Sequence, residues 1–179
     1  MRTITINLYD FNELSEVAKQ KALEKFNYST EFFWGDDAIK SLEKFAEHFG
    51  SKLKDWNIDW NYVSGSHVKF DTENIEYTVK ELKALIVSMG KFDKKTLIGE
   101  GECKFTGVCF DEDAADGARK AFFDGERNLN KILQAGFNTW IKSCVSDFEN
   151  QQSMEYFEEH CEANEYTFEE DGTMNNSKE

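Results

Sequence analysis

Proline is absent from this chain of 179 residues, where average usage would supply about nine. Turns must therefore be made by Gly, Asn, Asp and Ser, and no helix is started or stopped by a fixed pyrrolidine ring. Arginine is scarce as well, with only Arg2, Arg119 and Arg127. A chain with net charge −14 is excluded from non-specific nucleic-acid binding, because neutralising phosphates needs Lys and Arg. No apolar run approaches the roughly 18 residues that a membrane helix requires. Met1-Arg2-Thr3-Ile4 lacks the plan of a signal peptide, so the expected location is the cytoplasm. Cys103, Cys109, Cys144 and Cys161 include no C-x-x-C pair, which leaves free thiols, mostly buried, as the expectation.

Catalytic and metal motifs are missing too. His48, His67 and His160 are too scattered to pair as zinc ligands. Asp111-Glu112-Asp113-x-x-Asp116-Gly117 fails as a calcium loop, since its glycine falls at the seventh place and Phe122 takes the twelfth. Acids favoured by a helix N-terminus explain that run better. Gly99-Glu100-Gly101 lacks the third glycine of a dinucleotide fingerprint. No enzyme, cofactor or metal is expected.

What the chain does have is charge gathered at one end. Residues 145–179 hold eleven acids and one base, Lys178, a net −10 that leaves −4 for all the rest. Such asymmetry points to an acidic interaction surface and a basic partner.

Periodicity predicts an α+β fold: a single domain over 1–172 with a polar tail at 173–179, mainly antiparallel sheet packed against several helices. Ile4, Ile6 and Leu8 alternate with polar residues, predicting a strand from Thr3 to Phe11. Asn12 is placed to cap a helix from Glu13 to Phe26 with Leu14, Val17, Ala18, Ala22 and Phe26 inward. A second helix ends near Phe49 at Gly50. Trp56, Ile58, Trp60 and Tyr62 alternate strictly with polar residues, predicting a strand whose aromatics pack in the core. Ser64-Gly65-Ser66 turns it into a partner at His67–Asp71. Thr78 caps a helix from Val79 to Met89, stopped at Gly90. Lys91, Lys94 and Lys95 then form the one basic loop, read as a solvated turn. Cys103–Phe110 has strand character, and Asp111–Asp124 that of a capped helix.

The last third is the most informative. Leu129, Ile132/Leu133, Phe137, Trp140/Ile141, Cys144/Val145 and Phe148 keep helical spacing. Continuing that stripe predicts burial at Gln151/Gln152 and Glu155, which are polar, so the long helix is expected to be kinked or broken at Asn150–Ser153. Ser153 then caps a separate acidic helix. In it Glu155, Glu158, Glu159 and Glu162 lie about a quarter-turn from Met154, Phe157 and Cys161. With Glu165 these carboxylates span about 15 Å, roughly one per 3 Å, close to the one per about 3.4 Å of a single nucleic-acid strand. Glu169, Glu170 and Asp171 are placed to extend the ladder.

Three stretches carry a resemblance: INLYDFNELSEVAKQKALEKF within 4–26, FTGVCFDED at 105–113 and SMEYFEEHCEANEYTFEEDG at 153–172. Together they resemble a family of small acidic proteins of phages, prophages and other mobile elements. Members open with a strand and an ELSE-type helix start and close with an ANEY-type acidic segment. That plan is similar to the one of anti-CRISPR proteins that inhibit type II effector nucleases. The resemblance implies a non-enzymatic inhibitor in the cytoplasm of a bacterial host, engaging a basic protein such as a CRISPR nuclease with its guide RNA. A module sequestering a signalling nucleotide and a phage structural or assembly factor are the alternatives.

Overall fold

The computed structural model describes residues 5–101 and 103–175. The architecture is α+β, with small antiparallel sheets packed among helices, and the chain divides into two compact units. Unit 1 is made of residues 1–32 and 148–179, and unit 2 of residues 33–147. No helix among the described residues is long and apolar enough to cross a membrane.

Unit 1 is built from the two ends of the sequence. β1 (Tyr9–Asp10) pairs antiparallel with β4 (Thr167–Phe168), which pairs in turn with β5 (Met174–Asn175). β5 thus forms within the expected tail, whose residues 176–179 lie outside the described ones. The strand expected from Thr3 to Phe11 is reduced to β1. Its Thr3 and Ile4 lie outside the described residues, while Ile6 and Leu8 are exposed. The reason is the partner: β4 offers only two residues to pair with, and Phe11–Glu13 turns into a single 3-10 turn. Asp10 and Glu13 box that turn, and Ser15, not Asn12, caps α1 (Glu16–Ser29) through its hydroxyl at 3.2 Å from the Ala18 N–H. Leu14, Ala18 and Ala22 are buried as expected and Leu23 joins them, whereas Phe26 is half-buried and Val17 is 82% exposed.

α6 (Met154–Ala163) lays Phe157 and Cys161 into the same core. Phe157 meets Phe11 edge-on at 5.1 Å and Phe26 at 4.6 Å, and Phe11 meets Phe168 at 5.8 Å. Such aromatic contacts each add to the burial of their surface. Helix α5 (Leu129–Gln151) ends before Gln152, whose carbonyl accepts from Asn27 Nδ2 at 2.8 Å. Gln151 is buried all the same, at the position where the apolar stripe runs out.

In unit 2 the centre is α4 (Phe110–Phe123), which packs on α2 (Gly35–His48) and α3 (Val79–Ser88). Ile132, Leu133, Phe137, Trp140, Ile141 and Cys144 of α5 are buried as their spacing predicts. Gly117 of α4 and Gly136 of α5 mark a close crossing. A Cβ on Gly117 would sit 2.4 Å from the Ala135 carbonyl oxygen, and one on Gly136 2.5 Å from the Phe45 ring.

The expected strand over Trp56–Tyr62 is displaced. β2 is Leu53–Asn57, paired with β3 (His67–Phe70), and the register shifts between Leu53 and Asp55. Only one face of this two-stranded ribbon is covered, by Val68 and Phe70, and an irregularity of that kind re-aims the side chains beyond it. Trp56 is therefore 46% and Tyr62 67% exposed, while Ile58 and Trp60 are half-buried, with the Trp60 ring 6.1 Å from Trp140. α3 keeps its predicted cap, a Thr78–Glu81 box, and Gly50 and Gly90 take the left-handed conformations expected of helix stops.

Cys103–Phe110 is not a strand, and Asp111 is the cause. Its buried carboxylate, 1% exposed, accepts from the Phe105, Thr106 and Gly107 N–H groups at 2.8, 2.6 and 3.2 Å. It also accepts from the hydroxyls of Ser41 (2.5 Å) and Thr106 (2.9 Å). Backbone donors that a sheet would have used are spent on one side chain. Of the cysteines, Cys144 and Cys161 are buried, whereas Cys103 is half-buried and Cys109 exposed because this loop never enters a sheet.

Asp111→Ala would leave three N–H groups without their acceptor and is expected to cost about 3 kcal/mol or more, against about 1 kcal/mol for Ser41→Ala. Urea unfolding followed by tryptophan fluorescence measures both. His48 supplies a pH signature. Burial holds its ring below the ordinary histidine range, although Nε2–H donates to the Leu85 carbonyl at 3.0 Å and pulls the other way, and Lys104 adds to the lowering. Below about pH 6.5 the unfolded chain protonates first, so stability falls as pH drops through that window. His48→Gln should flatten the unfolding midpoint between about pH 7 and pH 5.

Candidate functional site: an acidic helix and its recess

α6 exists as a separate element because Ser153 interrupts the helix. Its backbone is extended (φ −75°, ψ 156°), and its hydroxyl accepts from the Tyr156 N–H at 3.1 Å. With Phe157 and Cys161 committed to the core, the helical period leaves Glu155, Glu159 and Glu162 exposed and Glu158 half-buried. Glu165, Glu169 and Glu170 are exposed as well. Among the described residues none of these seven carboxylates takes part in an ion pair. Asp171 does: Lys21 Nζ lies 2.5 Å from its Oδ2. That bond, with donors from Thr173, holds the Asp171 carboxyl well below the usual carboxylate range. Glu169, Glu170 and Asp171 also sit in the turn between β4 and β5, where the Gly172 N–H bonds the Glu169 carbonyl at 2.9 Å. They do not prolong the helix.

The C-terminus of α6 is closed by a pair of crossed bonds, Glu165 N–H to Glu162 O at 3.2 Å and Tyr166 N–H to Cys161 O at 3.0 Å. This is a Schellman closure, normally given to glycine. Here Glu165 occupies the left-handed position with φ 53°. An L side chain is disfavoured there, and a carboxylate beside the negative end of the helix dipole is disfavoured again. The result places a fifth acid of the ladder, Glu165, beside Asp10 and Glu13.

There the carboxylates of Asp10, Glu13, Glu158, Glu162 and Glu165 rim a recess of about 270 Å³ whose floor includes Phe11 and Tyr166. Glu13 already accepts from the Asp10 N–H at 3.0 Å. No group of three or more acids, histidines or cysteines among the described residues converges as a metal site does. Burial pushes the Cys161 thiol up to about 12, so it is no nucleophile at neutral pH. What the recess offers is attraction for one guanidinium or ammonium group lying on aromatic rings. Asp10 and Glu13 escape sequence reasoning because only the pairing of β1 with β4 brings them beside α6.

No protein-family model, curated protein or solved structure matches this chain.

Glu165→Gly should stabilise the protein by about 1 kcal/mol, by relieving the left-handed strain. Denaturant unfolding reads this directly, and an unchanged or lowered midpoint would contradict the assignment of strain.

Proposed function

We propose that this chain is a non-enzymatic inhibitor that engages a basic surface of a nucleic-acid-binding host defence protein, with an RNA-guided type II nuclease the best-fitting target. The observation that carries this reading is the set of seven carboxylates along α6, its C-terminal closure and the β4–β5 turn, six exposed and Glu158 half-buried, that make no ion pair among the described residues. Unpaired like charges on a helix cost stability, so their retention is better explained by a use than by solvation alone. Effector nucleases of that class hold nucleic acid in positively charged channels and read the PAM through arginines. A ladder spaced like a single strand, with a recess sized for one basic side chain, is suited to such a channel in charge and in reach. Such action takes place in the cytoplasm of the bacterial host.

Binding of the purified chain to a type II nuclease–guide RNA complex, measured with and without PAM-bearing DNA as competitor, tests this. Glu158→Lys/Glu159→Lys/Glu162→Lys should weaken it by about a hundredfold or more, and the wild-type affinity should fall steeply between about 50 and 200 mM salt. Equal affinity of the variant and the wild type would end the charge-mimicry reading.

A further inference from the structure

Unit 2 carries a second surface of opposite character. The loop expected as a solvated basic turn is ordered as a small hairpin, with Phe92 bridging Gly99 and the Asp93 N–H bonded to the Ile98 carbonyl at 2.9 Å. It is pinned to α4. The Gly99 N–H donates to Asp116 Oδ1 at 2.9 Å, and the buried Arg119 guanidinium lies 4.8 Å from the Phe92 ring centre while it donates to the Met89 carbonyl. Arg119 is itself fixed by Asp116 at 2.5 Å. At the loop's turn Leu97 takes φ 62°, a left-handed conformation that a leucine seldom adopts.

Held in this way, the loop and the end of α3 enclose an open cleft of about 760 Å³. Its floor is apolar, made by Val87, Phe92, Leu97 and Phe123. Lys83, Lys91, Lys94 and Lys95 rim it, and Glu100 is the single acid among the described residues of its lining. Among the described residues Lys83, Lys94 and Lys95 make no ion pair. In a chain of net charge −14, four ammonium groups around one aromatic-floored cleft form an island of the opposite sign.

We propose that this cleft binds a nucleoside polyphosphate, the base against Phe92 and Phe123 and the phosphates among the lysines. The volume lies within the range of small-ligand sites, roughly 300–1,000 Å³. Lysines act on phosphate as mobile point charges, and several of them around one cleft suit the multiple negative charges of a polyphosphate. An aromatic floor selects a flat group over an aliphatic tail. Glu100 adds an acceptor for a ribose hydroxyl or an exocyclic amine. The tethered loop requires little ordering on binding. This site is independent of the acidic helix, and either reading stands without the other.

Titration calorimetry of the whole chain with ATP and GTP tests the proposal, with adenosine, tripolyphosphate and a short oligothymidylate as controls. At least one nucleotide should bind with a micromolar dissociation constant, and both adenosine and tripolyphosphate about tenfold or more weaker. Lys83→Glu/Lys94→Glu, at two exposed positions, should weaken nucleotide binding by about tenfold or more while the unfolding midpoint stays within about 2 °C of wild type. A variant that misses that midpoint is replaced by Lys95→Glu, for which the same loss is expected. No saturable binding of either nucleotide up to about 1 mM, equal binding of tripolyphosphate, or unchanged affinity in the lysine variants would each overturn the proposal. Tighter binding of the oligothymidylate than of the nucleotides would overturn it in favour of a nucleic-acid strand.

Discussion

Unit 2 depends on the Asp111 carboxylate. A buried anion is costly unless its lone pairs are filled, and here two oxygens receive five donors from two places in the sequence, Ser41 and residues 105–107. Ser41 belongs to α2, Thr106 and its neighbours to a loop, and Asp111 itself to the first turn of α4, where the helix dipole favours its charge. Three amides of the loop are thereby satisfied without a sheet, and the Ser41–Asp111 bond ties α2 to α4 where the two helices pack. The Gly117–Gly136 crossing extends the same close packing to α5.

Unit 1 solves a different problem. It has two-residue strands and short helices, and it relies on interlocked rings, Phe11, Phe26, Phe157 and Phe168, to hold them. Because α6 commits one face to those rings, the opposite face is free to carry charge. Core filling thus decides which positions of α6 face outward, and Glu165 adds a further acid where glycine would be easier.

Much of this was legible in the residues wherever a helix pressed a continuous stripe on a core. The α5 stripe from Ile132 to Phe148, the Thr78 box, the Gly50 and Gly90 stops and the Ser153 cap all follow from local chemistry. Alternation misled where no adequate partner existed. Ile6 and Leu8 face solvent because β4 is two residues long, and Trp56 and Tyr62 do so because a register shift displaces β2. The Cys103–Phe110 loop was illegible for a third reason, since a side chain, not a neighbouring strand, takes its amides. At the acidic site the glutamates of α6 could be placed by period alone, whereas Asp10 and Glu13 could not, and neither could Lys83 at the cleft, because long-range contacts bring them in.

The assembly of unit 1 from residues 1–32 and 148–179 has a consequence for biogenesis. Its sheet joins residues separated by well over a hundred positions, contacts that are slow to find and that reward the chain only once the intervening loop is closed. During translation Phe11 and the apolar side of α1 emerge early and wait, uncovered, until the ribosome has delivered α6 and β4. A nascent chain paused in its middle thus displays greasy surface and no acidic helix. The recess between Asp10, Glu13 and α6 is complete only in protein synthesised at least as far as β4.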